Sequence, residues 1–226
     1  LIGGKKGVKA IASLVFTFVC IYYLMFPLIY KGASPIGITI VIAFLSTLVT
    51  LGLLGGMTAK TASAIIGTTA GVVIAAVAAL LFGKAAGITG YNVSDIETLN
   101  YVAQNSQIRI GQLLFSGIII ASLGATMDVG MSIASTIQEI HDRNPELGTK
   151  ELFLSGIRVG RDMMGTMTNT LIFAYVGGSL STLVINYAYD LSYRQLMNSY
   201  IIGTEIMQGL SGSLGVVLTV PVTAVI

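Results

Sequence analysis

Charge is scarce in this sequence: its 226 residues include 12 basic and 10 acidic side chains, well under half of the roughly 25% typical of a soluble domain. So few charges cannot coat a globule of this size, and the missing water-facing surface must face lipid. Cysteine and histidine occur once each, as Cys20 and His141. A single cysteine excludes a disulfide within the chain and reads as a small apolar packing residue. With one histidine and no clustered cysteine, a metal centre is not expected, and no cofactor is implied. Hydrolytic catalysis also lacks its parts, because the serines crowd into apolar stretches while the histidine lies in a polar one, so an enzyme is not expected. A net charge of +2, scattered along the chain, does not make the clustered basic face that nucleic acid requires.

What is present is a series of long stretches without Asp, Glu, Lys or Arg: 10–30, 32–59, 61–83, 110–127, 163–189 and 206–226. About 20 apolar residues of helix cross the hydrocarbon layer, and each stretch reaches or approaches that length. No ten-residue alternation of a porin-type barrel is visible, and helices then remain the way to satisfy the backbone in lipid. The expected fold is an all-α polytopic bundle of about six spans, one transmembrane domain over 1–226. The chain starts at Leu1 and stops at Ile226 inside an apolar run, which reads as a fragment lacking sequence at both ends.

Lys5, Lys6, Lys9, Lys60, Arg143, Lys150, Arg158 and Arg161 fall on one side of such a bundle, and Lys31, Lys84, Arg109 and Arg194 on the other. The positive-inside rule puts the Lys5–Lys9 side in the cytoplasm. The 84–109 segment is then external. It carries a capping-box pattern at Ser94–Glu97, with Ile96, Leu99, Val102 and Ala103 at helical spacing, and reads as a helix lying on the membrane surface. The cytoplasmic segment breaks at Asn144-Pro145 and Gly148, restarts at Thr149 as an amphipathic helix, and feeds the fifth span. His141-Asp142 is placed in the loop before that break. Asn92-Val-Ser94 matches a glycosylation sequon, a three-residue pattern too common to weigh.

An ionisable side chain inside a bilayer costs roughly 2.5–3.5 kcal/mol on insertion scales, so those that persist usually face a bundle interior or a water path. In the fourth span, Gly117, Ala121, Gly124, Asp128, Ser132 and Ser135 follow one another at spacings of three or four. That stripe permits close helix contact and carries one carboxylate. In the fifth, Arg158, Asp162, Thr166 and Asn169 share a face beside Arg161 and Thr168, with Arg158 and Asp162 spaced to pair. In the sixth, Glu205, Gln208, Gly212, Gly215 and Thr219 line up. Gly67 and Gly71 form a small-xxx-small contact in the third, and Lys60 anchors the turn before it. One reading makes Asp128, Asp162 and Glu205 carriers of protons or cations, balanced by Arg158 or Arg161. The other makes the Arg158, Arg161 and Asp162 group an interfacial anchor and Asp128 the acceptor of a hydrogen bond from Ser or Thr.

The blocks Gly3-Gly-Lys-Lys-Gly-Val-Lys-Ala10, Gly55-Gly-Met-Thr-Ala-Lys-Thr-Ala62, Gly124-Ala-Thr-Met-Asp-Val-Gly-Met-Ser132 and Gly160-Arg-Asp-Met-Met-Gly-Thr-Met-Thr-Asn169 together resemble the YibE/F family of bacterial multi-pass membrane proteins. The resemblance covers nearly the whole chain. It implies a bacterial plasma-membrane location and, in many members, a span and an extracytoplasmic domain ahead of this region; it implies no particular activity. The order of Gly124–Asp128, the amphipathic helix, Gly160-Arg-Asp and Gly212–Pro221 is also similar to the membrane half of SecD/SecF-like proteins of the resistance-nodulation-division superfamily. That likeness implies a coupling acid at Asp128 and a partner at Arg161.

The leading expectation is thus a transporter or exporter subunit using a proton or cation path. Against it stand a permease-like subunit powered by a separate ATPase, with helix 149–162 as docking element, and a scaffold or receptor whose stripes only pack helices. The bilayer is the expected partner, with a second copy or second membrane subunit compatible with the small-residue faces.

Overall fold

The computed structural model describes residues 4–91 and 96–226. The capping-box start at Ser94 and the Asn92 sequon lie outside the described residues, as do the side chains of Lys5 and Lys6. Among the described residues the secondary structure is entirely helical. Five helices are long and apolar enough to cross a membrane, and a bent pair makes up to six.

The first span, Gly7–Tyr30, is built of α1 (Gly4–Cys20), a π-helical turn (Ile21–Met25) and α2 (Phe26–Tyr30). Pro27 sits in the first turn of α2, where its missing N–H and its ring disturb the ladder of the preceding turn. Ser34 starts α3 (Pro35–Gly55) by accepting from the Gly37 N–H at 3.4 Å, and its hydroxyl donates to Gln112 Oε1 at 2.8 Å. Thr58 caps α4 (Ala59–Ala86) through the Thr61 N–H at 3.3 Å. Gly87 ends α4 at φ +69°, the left-handed conformation that glycine adopts at least cost.

Helix α5 (Ile96–Gln104) occupies the segment expected on the surface, with Ile96, Leu99, Val102 and Ala103 half-buried. After a short 3₁₀ turn, α6 runs from Leu113 to Arg143, well past the charge-free stretch from which a span was expected. His141 and Asp142 therefore lie in its last turn and not in a loop, and Gln138 Nε2 donates to Asp142 Oδ1 at 2.7 Å. Helix α7 (Thr149–Gly178) begins where the amphipathic restart was expected. It ends at Ser179, where the chain bends by 58° into α8 (Leu180–Ala188). The expected straight fifth span over 163–189 is thus a broken one. A five-residue α9 (Tyr193–Met197) then leads to α10 (Tyr200–Val225).

Helices α4, α6 and α10 pack on one another, α3 covers α4 and α6, α1 lies on α3, and α7 covers α10 and α6. Close approach depends on absent side chains. A Cβ on Gly71 would crowd Thr219 Oγ1 and stand 2.9 Å from the Gly215 carbonyl oxygen, and one on Gly215 would stand 2.8 Å from Ala75 Cβ. Gly67 meets Thr223 in the same way. Small-residue contacts of this kind let backbones come close enough for dispersion to replace the hydrophobic effect that lipid removes. The interior is seamed with hydroxyls: Thr39, Ser46, Thr47, Thr61, Thr68, Ser122, Thr126, Ser211 and Thr219 are buried. Most of those that bond do so to their own helix, but Thr68 Oγ1 crosses to the Thr126 carbonyl at 3.4 Å. That bond is long and its acceptor belongs to a helix, so Thr68→Val is expected to lower stability by less than about 1 kcal/mol, measured as the denaturation midpoint in detergent micelles.

Candidate functional site

Contacts along α6 and α7 fix their relative depth. A Cβ on Gly156 would meet Ile137 Cδ1 at 2.7 Å, and one on Gly160 would meet Ile133 Cδ1 at 3.1 Å. The helices are therefore antiparallel, and the same register brings Asp128 level with Gly165. The polar run of α7, residues 162–170, stands at the depth of residues 123–131 of α6. Asp128 itself is eleven residues before Glu139, the next charge toward the Arg143 end, or about 16 Å along the axis.

The side of α6 that carries Asp128 is uncovered. Gly117, Ala121, Gly124 and Asp128 are all exposed, and a Cβ on Gly117 or Gly124 would meet nothing within 4 Å. The helices of α6's own bundle occupy its opposite side, through Ile119, Thr126, Val129 and Ile133, so the close contact that this stripe permits is not made among the described residues. Asp128 accepts no hydrogen bond from Ser or Thr and forms no ion pair among the described residues. Serines 132 and 135 are half-buried at the edge of the stripe.

Helix α7 shows the same asymmetry. Gly156, Gly160 and Leu171 are buried, whereas Arg158, Arg161, Asp162, Gly165, Thr166, Asn169 and Thr170 are exposed. The expected Arg158–Asp162 pair does not form: among the described residues the ion pair is Arg143–Glu139, at 2.7 Å. Thr166 and Thr170 turn their hydroxyls back to the carbonyls of Met163 and Thr166, at 3.1 and 2.9 Å. Thr168 faces inward, its Oγ1 buried without a partner.

Glu205 belongs to a different place. Gly156 and Gly160 lie against Ala224 and Val220 of α10, a register that sets Glu205 level with Tyr175, about 15 Å along the axis from the level of Asp128 and Gly165. The stripe expected on α10 divides: Gly212 lies against Leu171 and Tyr175 of α7, while Gly215 and Thr219 face α4. Gln208 is half-buried. The structure thus sets Asp128 and the polar segment of α7 at one depth and separates both from Glu205. Sequence reasoning missed Tyr175, whose hydroxyl is buried without a partner, and the seam of inward threonines. Thr61 and Thr68 seven apart, and Ser211, Thr219 and Thr223 at intervals of eight and four, were a legible signal for that seam. Among the described residues no three His, Cys, Asp or Glu side chains group as metal ligands.

Apolar helices of spanning length around a hydroxyl-seamed interior define a polytopic helical membrane protein. Its sequence matches the family described as YibE/F-like protein over residues 1–226, and the chain belongs to that family. No curated protein and no solved structure matches it.

Proposed function

We propose that the chain is a transporter or exporter subunit in which protons or cations pass along the open strip of α6 at Asp128, at the depth of the polar segment of α7. One observation carries the reading: a carboxylate without an ion-pair partner among the described residues stands at membrane depth on an uncovered strip of small residues, level with exposed Asp162, Thr166 and Asn169. A carboxylate left facing hydrocarbon there costs energy with no return in packing, and water or a cation held beside it removes that cost. The reading is of transport and not catalysis, in a bacterial plasma membrane with the Lys60 and Arg143 ends in the cytoplasm.

Proteoliposomes with an imposed pH gradient and an enclosed pH-sensitive dye test it. Flux by the wild type that falls to background in Asp128→Asn supports the carrier role; equal flux in both overturns it. A second reading rests on the same strip: with nothing within 4 Å of a Cβ at Gly117 or Gly124, another helix could lie close, as in a permease-like subunit serving a separate ATPase or in a membrane scaffold.

A further inference from the structure

The connection from α7 to α10 lies at one end of the bundle. A Cβ on Gly209 would meet Ile172 Cγ1 at 3.8 Å, and one on Gly203 would meet Ile88 Cδ1 at 3.5 Å. Carried on along the antiparallel helices, that register sets Ser179 level with Tyr200 and with the end of α4 at Gly87. Helix α4 has 28 residues, or about 42 Å, and outruns the roughly 30 Å hydrocarbon layer. Its ends, marked by Lys60 and Lys84, reach the headgroup layers, and Ser179 with them. Helix α8 leaves α7 there at 58°. Its nine residues make about 13 Å, of which that angle directs about 11 Å across the axis of α7 and about 7 Å along it, comparable to the roughly 5–7 Å depth of a headgroup layer. Among the described residues, none of α8 is buried. Leu180, Val184 and Tyr187, spaced by four and three, are 58%, 58% and 88% exposed, and α8 carries no Asp, Glu, Lys or Arg. Tyrosines gather at the same end. Tyr30 closes the first span, Tyr101 lies in α5, and Tyr187, Tyr189, Tyr193 and Tyr200 follow one another in the connection, each more than half exposed.

We propose that α8 and the turn into α9 form an anchor in the headgroup layer of the bilayer, at the end opposite Lys60 and Arg143, and that α7 alone completes the fifth crossing. The partner of this surface is the boundary between hydrocarbon and headgroups, and the side chains select it. Water would leave Leu180, Val184 and Ile185 unsheltered, while the depth of the bilayer would offer nothing to the phenol hydroxyls of Tyr187, Tyr189 and Tyr193. A tyrosine has an apolar ring and a polar tip, and the residue is enriched where hydrocarbon meets water. Asp190 and Arg194, both exposed, follow directly; they would be costly in hydrocarbon and are at home among headgroups. The anchor holds the outer end of α7, the helix that carries the polar segment, at one depth. It does not depend on a path at Asp128, so its test needs no transport.

The chain contains no tryptophan, so Tyr187→Trp and Phe173→Trp each carry a single indole. Phe173 is 73% exposed on α7, six residues before Ser179, or about 9 Å deeper. Each variant of the full chain is reconstituted in phosphatidylcholine vesicles that bear a nitroxide either on the headgroup or deep in the acyl chain, and the quenching of its fluorescence is measured, with iodide as the quencher from water. The headgroup label should quench Tyr187→Trp more than the deep label does, and the order should reverse in Phe173→Trp. Val184→Trp, on the same side of α8, should follow Tyr187→Trp, which guards against a local disturbance at either position. If no reversal separates the two α8 variants from Phe173→Trp, α8 belongs to the span. If iodide quenches them and neither lipid label does, α8 stands in water; if nothing quenches them, protein, such as a second copy, covers the helix. Each of these three results overturns the proposal.

Discussion

Gly71→Leu is expected to abolish the folded bundle. A Cβ at Gly71 alone would overlap Thr219 Oγ1 and approach the Gly215 carbonyl oxygen to 2.9 Å. The second of these is backbone of α10, so relief requires the whole helix to move. Moving α10 off α4 would also break the approach of Gly215 to Ala75 and of Gly67 to Thr223, and α7, which is seated largely on α10, would lose its support. Overpacking a well-filled core commonly costs about 1–3 kcal/mol, and a clash against backbone at the most central helix pair belongs at or above the top of that range. The variant should give no monodisperse peak in size-exclusion chromatography in detergents that preserve the wild type. A monodisperse variant with an unchanged melting temperature would remove α4–α10 packing as the organising contact.

The placement of the helices follows from charge spacing, because a long interval without Asp, Glu, Lys or Arg can rest in only one solvent. Thr149 is legible as a helix start for a similar reason: Asn144, Pro145 and Gly148 cannot continue α6, and the amphipathic pattern resumes just after them. The bend at Ser179 is harder to see. Gly177, Gly178 and Ser179 look like one more small-residue stretch within a span, and the charge-free interval runs straight through them. Two adjacent glycines lower helix propensity by about 2 kcal/mol relative to alanine, and the helix stops there. The π turn at Ile21–Met25 is likewise marked by Pro27, which hydropathy alone does not weigh.

The chemistry of the stripes was more legible than their direction. Periodicity shows that Gly117, Gly124 and Asp128 share a side of a helix, just as it shows that Gly67 and Gly71 do, but it carries no information about what lies opposite. Gly67 and Gly71 meet α10, whereas a Cβ on Gly117 or Gly124 meets nothing within 4 Å among the described residues. The division of α10 has the same origin: a stripe wide enough to hold Glu205, Gly212 and Gly215 can serve α7 with one edge and α4 with the other.

Asp128→Asn is expected to eliminate gradient-driven flux while leaving the fold intact, and the two halves of that outcome rest on different observations. Stability should hold because Asp128 has no hydrogen bond or ion pair among the described residues; its loss orphans no partner, and the change should fall within about 0.5 kcal/mol. Flux should vanish because asparagine keeps the shape and hydrogen-bonding capacity of the side chain but cannot release a proton or hold a cation by charge. Gly124→Leu, one turn away on the same strip, supplies the companion test. The new side chain meets open space at Cβ and improves local helix propensity by roughly 0.8 kcal/mol, so the isolated chain should melt no lower than the wild type. Placed beside Asp128, it should nevertheless obstruct access to the carboxylate and suppress flux. The same glycine-to-leucine change thus destroys the bundle at Gly71 and spares it at Gly124, where its effect should be on transport. If Gly124→Leu instead alters the mass measured by light scattering in detergent and Asp128→Asn transports normally, the strip is a seat for another helix and not the path. If both variants match the wild type in flux and in mass, the strip faces lipid alone and neither role survives.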